Sequence, residues 1–150
     1  MGHAITAIIT RRPLPPLDPY ADCLDVVDLP QRMAAIFLDD ELVDYLAEEE
    51  AVAGTFAEEP LLAATVLLRL MNRWMPQQLW ALIETDYFGG VGDQCAVLIR
   101  GDEPVAFETR APAHSINRIL ARLGVTRGRA DDEFGALGLE AFRSYESRPR

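Results

Sequence analysis

The chain has 150 residues, 49% hydrophobic and 25% charged, with a formal net charge of −10 at pH 7. That length predicts a single domain whose core needs no staples, and the composition excludes a wholly disordered chain. The acidic balance argues against nucleic acid as a partner, unless the protein mimics it, because binding the phosphate backbone takes clustered cations.

All fourteen basic residues are arginine, which excludes a Walker lysine, a Schiff base and a lysine general base. The arginine bias is what a GC-rich bacterial coding composition produces. Cys23 and Cys95 stand far apart and in no CxxC pattern, so they predict buried, reduced thiols rather than a disulfide framework or a zinc knuckle. The apolar start of the chain has no basic leader region or cleavage pattern, and no apolar run reaches membrane-crossing length. A cytoplasmic protein is expected.

Along the chain, Ala4 to Thr10 predicts a first strand. Prolines 13, 15, 16 and 19 make 11–20 an extended connection, since proline removes the backbone donor. The RRPLPPLDP segment also has the character of an SH3-type ligand, but a rigid linker is the simpler reading. Leu24 to Leu29 predicts a short strand, with Asp28 and Pro30 placed to cap and open a helix. Residues 31–50 fit either helical stripes or a hairpin; a helix from about Asp40 to Ala53 is favoured because acidic residues fill the side opposite Leu42 and Leu46. Glu59-Pro60 opens a helix running to Trp74, apolar around most of its circumference and therefore central. Such a helix could also pack on a second subunit, so a homodimer is possible.

Strands follow at about Gln78–Tyr87, Asp93–Arg100 and Val105–Arg110, a three-stranded meander. Ser115 is placed to cap a helix carrying Ile116, Ile119, Leu120 and Leu123. Gly124 followed by Val125 predicts a Schellman ending, with glycine in the left-handed conformation and valine as the apolar clasp. Asp131 or Asp132 begins a last helix with Phe134, Leu137, Ala141, Phe142 and Tyr145, softened by Gly135 and Gly138, and 147–150 form a loose tail. The fold expected is α+β, an antiparallel sheet of three to five strands with helices on one face.

Function is less legible. Glycines 89, 90 and 92 lead into the strand-like run Gln94 to Ile99, whereas a phosphate loop leads into a helix; they predict a hairpin tip. Centring that hairpin near Gly90 places Asp86 opposite Gln94 and Glu84 opposite Ala96, and gathers Glu84, Asp86, Gln94, Arg100, Glu108 and Arg110 on one face. Across the small Ala96, Arg110 could form a forked pair with Glu84. If that face were covered, Glu84, Asp86, Arg110 and His114 would be candidate acid–base residues. Solvated cross-strand ion pairs are the simpler account.

The two histidines, His3 and His114, have no ligand spacing, and the acidic triplets lack a calcium-loop glycine. No metal or cofactor is expected. Tyr87, Phe88, Val91, Asp93 and Gln94 form an aromatic and polar tip suited to meeting a partner. These features favour a protein-interaction module of inhibitor, immunity or accessory type that engages a basic partner surface. The alternative is a small-ligand-binding protein or hydrolase using the Glu, Asp and Arg cluster.

Overall fold

The computed structural model describes residues 3–51, 65–88, 91–111 and 115–139; for 3–4, 86–88, 91–94, 107–111 and 115 it describes the backbone alone. Six strands form one antiparallel sheet in the order β2-β3-β1-β4-β5-β6. They are β1 (His3–Arg11), β2 (Asp25–Leu29), β3 (Met33–Leu38), β4 (Leu79–Phe88), β5 (Val91–Arg100) and β6 (Glu103–Ala111). The helices among the described residues are α1 (Asp40–Glu49), α2 (Thr65–Trp74), α3 (Ser115–Leu123) and α4 (Glu133–Ala136). The expected α+β class holds. The sheet exceeds the expected three to five strands, because the short strand expected at Leu24 to Leu29 is followed in a hairpin by another, Met33–Leu38, where a helix was expected to open at Asp28 and Pro30.

That hairpin turns through Gln31 and Arg32, at φ 61° and 59°, the left-handed pair of a type I′ turn. Non-glycine residues resist this conformation. Gln31 is held in it from outside: its Nε2 donates to the Thr126 carbonyl at 2.7 Å, and its Oε1 accepts from the Thr126 amide at 2.9 Å. Pro30 therefore sits in a turn, and Asp28 serves β2, pairing with Arg12. The ambiguity over 31–50 resolves as strand and then helix. Asp39 sets the boundary, its carboxylate accepting from the Leu42 amide at 2.7 Å as the α1 N-cap.

The helices cover both faces of the sheet rather than one. In β1, Ile5, Ala7 and Ile9 pack with α3 and α4 through Ile116, Ile119, Leu120 and Phe134. Ile8 faces the other way, joining Trp80, Leu82, Val97 and Ile99 against α1 and α2. Strands buried on both faces need continuous apolar runs rather than alternation, and all six residues of β3 are buried.

The described part of α2 is amphipathic, with Val66, Leu67, Leu70 and Met71 buried and Arg69 and Arg73 exposed. Its expected opening at Glu59-Pro60 lies outside the described residues. The α3 ending forms as expected: Val125 N–H donates to the Leu120 carbonyl, Gly124 N–H to that of Ala121, and Gly124 sits at φ 110°. α4 is a single turn capped by Asp132, and Gly138 lies beyond it at φ 71°; the positions expected to carry it to Tyr145 fall outside the described residues. Both cysteines were expected to be buried, yet Cys23 is exposed and Cys95 intermediate. Cys23 lies in the turns that follow the proline segment, where its amide donates to the Tyr20 carbonyl.

No described helix is long and apolar enough to cross a membrane.

Candidate functional site

The register of the β4–β5 hairpin decides what happens to the expected Glu84 cluster. Phe88 pairs with Val91 and Asp86 with Asp93, so Glu84 lies opposite Cys95 and Trp80 opposite Ile99. The pairing differs by one residue from a tip centred on Gly90, and a one-residue shift moves side chains to opposite faces. Glu84 thus lies on the Trp80 and Leu82 side, half-buried, while Arg100 pairs with Leu79 on the other side. Ala96 belongs to the α3 layer and pairs with Glu108. With Ala96 paired to Glu108, the β5–β6 register differs by two residues from the expected one, so Arg110 does not stand beside Ala96. The backbone of Asp86, Tyr87, Phe88, Val91, Asp93, Gln94 and Arg110 is described but their side chains are not, and His114 lies outside the described residues.

Shifted protonation is found elsewhere, where the proline segment crosses α1 and α2. Tyr20 Oη donates to Glu50 Oε2 at 2.5 Å, and the Arg73 fork donates to both Glu50 oxygens at 2.5 and 3.3 Å. Arg69 Nη1 donates to the Glu50 backbone carbonyl at 3.1 Å. The Glu50 side chain is only 10% exposed, and paired this way its carboxyl is held below the usual carboxylate range, chiefly by Arg73 and then Tyr20. The hydrogen bond to Glu50, with burial adding to it, pushes the Tyr20 hydroxyl up to about 12. The knot pins the end of α1, where Ala51 follows at φ 54°, a conformation costing roughly 1–2 kcal/mol for a residue with a Cβ. These donors and acceptors satisfy one another, so the knot is a fastener rather than a reactive centre.

Beside the knot lies the outer face of α1. Asp40, Glu41, Asp44, Tyr45, Glu48 and Glu49 are all exposed, and no described ion pair engages any of them. Tyr45 is 47% exposed, with its ring edge-to-face on Tyr20 at 6.4 Å between centroids. An aromatic side chain thus stands on a rigid support within a ring of carboxylates. The last turn of α1 has no basic residue of its own, and the cations at that negative end of the helix dipole come from α2, where Arg69 and Arg73 reach Glu50.

Two cavities meet at the end of the sheet where β1 and β5 finish and β4 begins. One, of about 590 Å³, is an open apolar trough between Pro13-Leu14-Pro15 and Trp74-Met75-Pro76. The other, of about 250 Å³, is lined by Arg11, Arg12, Arg100, Gln78, Leu79 and Leu123. A third, of about 580 Å³, is lined by Arg118 and Arg127 together with Asp131, Asp132 and Glu133; there Asp132 is committed to capping α4 and to Asn117. Among the described residues no group of three or more His, Cys, Asp or Glu could hold a metal ion.

Sequence reasoning overlooked Tyr20, Tyr45, Glu50, Arg73 and the arginine pocket. Arg69 and Arg73, four apart on a predicted helix, were a legible signal for a carboxylate partner. Tyr45 amid Glu41, Asp44 and Glu48 was another. The arginine pocket had none, since Arg11 and Arg100 meet only because β4 lies between β1 and β5. Compared with known proteins, the chain matches no family model, no curated protein and no solved structure.

Proposed function

We propose that this chain is a protein-interaction module of inhibitor, immunity or accessory type, acting in the cytoplasm, whose docking surface for a basic partner is the outer face of α1. The observation that carries this reading is the exposed Tyr45 set among Asp40, Glu41, Asp44, Glu48 and Glu49. Tyrosine is enriched among residues that dominate interface energetics because it buries much area at little entropic cost. The surrounding carboxylates steer a cationic partner and select against acidic ones. The tip residues Tyr87, Phe88, Val91, Asp93 and Gln94 form a second proposed contact, supported by their aromatic and polar composition.

The test is affinity capture from the native host at two ionic strengths, comparing the unmodified chain with a Tyr45→Ala/Asp44→Lys/Glu48→Lys variant and a Tyr87→Ser/Phe88→Ser variant. A basic polypeptide held stoichiometrically by the unmodified chain, and at least about tenfold less by the α1 variant, is expected, with retention falling as salt rises. Equal retention by the α1 variant overturns the assignment of that face, and loss on the Tyr87 and Phe88 changes alone moves the contact to the tip. A homodimer with no other polypeptide overturns the partner reading.

The alternative, a small-ligand protein, is favoured by a different observation: the trough that adjoins the arginine pocket.

A further inference from the structure

We propose that the arginine pocket and the adjoining apolar trough form one binding site for a small organic anion with an apolar body, a carboxylate being the head group. The inference is independent of the α1 surface, which lends it no lining residue. Pro13 and Gln78 line both cavities, so the two adjoin. Gln78 is fixed as the dividing wall by donating to Thr10 Oγ1 and the Arg11 carbonyl, both at 3.1 Å.

Three arginines, Arg11, Arg12 and Arg100, line this pocket in a protein whose net charge is −10. Of the three, only Arg12 has a carboxylate partner among the described residues, Asp28. Arg11 Nη2 donates to the Leu123 carbonyl at 3.4 Å, and Arg100 Nη1 to the Gln77 carbonyl at 3.2 Å. Arg12 Nε is buried with no hydrogen-bond partner. A guanidinium carries five N–H donors in a fixed fork, so most of the donor capacity at this site is unspent among the described residues. An anion in the pocket offers acceptors to the exposed Arg11 and Arg100 side chains and relieves the repulsion among the clustered cations. A carboxylate matches the fork in geometry. The pocket of about 250 Å³ suits a head group, and the trough of about 590 Å³ offers prolines and the Trp74 ring to a short chain or an aromatic ring.

The test titrates the full chain with octanoate, and with octanol and octylamine as equal-length probes of neutral and cationic head group, following acrylamide quenching of tryptophan. Trp80 is buried and Trp74 is not, so protection reports the trough. Octanoate is expected to protect Trp74 and to bind at least about tenfold more tightly than either control, with affinity falling as salt rises. Arg100→Ala, at an exposed position, is expected to keep the native circular dichroism spectrum and to weaken octanoate at least about tenfold. The Asp44→Lys/Glu48→Lys chain is expected to bind octanoate like the unmodified protein, which separates this site from the partner surface. Octanol or octylamine binding as tightly as octanoate, no protection by octanoate, or an unchanged affinity in Arg100→Ala would each overturn the proposal.

Discussion

Glu50 concentrates the chemistry of the α1 and α2 junction because one carboxylate accepts from a tyrosine and a forked arginine at once. The consequence is a pH dependence with two limbs. Tyr20 loses its proton at about 12 in the fold against 10.0 for the free side chain; a folded pKa raised above the unfolded one adds stability that is whole below pH 10 and lost as pH rises towards 12. For Glu50, lowered from 4.5, the sign reverses: its stabilisation is present above pH 4.5 and is lost as pH falls through the depressed folded value. Thermal melts from pH 9 to 12 are expected to fall less steeply for Tyr20→Phe than for the unmodified chain, with the variant already less stable at pH 9. Parallel curves would show that the Tyr20 hydroxyl is not coupled to folding.

At the scale of elements, α1 carries a local conflict. Its cap and first turn follow the dipole rule, with Asp39 as N-cap and Asp40 and Glu41 next to it, while its last turn breaks that rule with Glu48 and Glu49. Arg69 and Arg73 of α2 bring to that end the cations its own last turn lacks, and a local rule broken in this way marks a candidate functional position. Glu48→Lys is therefore expected to stabilise the fold by roughly 0.3–1 kcal/mol in urea denaturation while weakening capture of the basic partner. A destabilised Glu48→Lys would instead make Glu48 part of the scaffold. The α3 ending is the opposite case, where Leu120, Gly124 and Val125 agree locally and the helix ends as their order dictates. Gly124 also leaves room for Arg11, whose Nη2 would lie 2.5 Å from a Cβ there.

Over the whole molecule, the sheet separates two apolar layers, one under α1 and α2 and the other under α3 and α4. Substitutions in different layers share no partners, so their effects are expected to add. Leu70→Ala should cost about 2–5 kcal/mol and Ile119→Val about 0.5–1.5 kcal/mol, and the double variant should match the sum within roughly 0.5 kcal/mol in urea denaturation. A larger departure would mean that the sheet transmits repacking from one layer to the other.

The sequence by itself determined the α+β class, the three strands of the meander, the α3 stripe with its glycine ending and the acidic face of α1, because each rests on local periodicity or a cap residue. The runs Trp80 to Ile83 and Ala96 to Ile99 also recorded that both faces are covered, but a reading that assigned one face to solvent passed over that signal. Tertiary structure alone decided the hairpin register, which a single residue of loop length reverses, and the central place of β1 between β3 and β4. That placement brings Arg11, Arg12 and Arg100 together, and the crossing of the proline segment brings Tyr20 to Glu50. Both follow from contacts between residues distant in the chain, which local pattern does not encode.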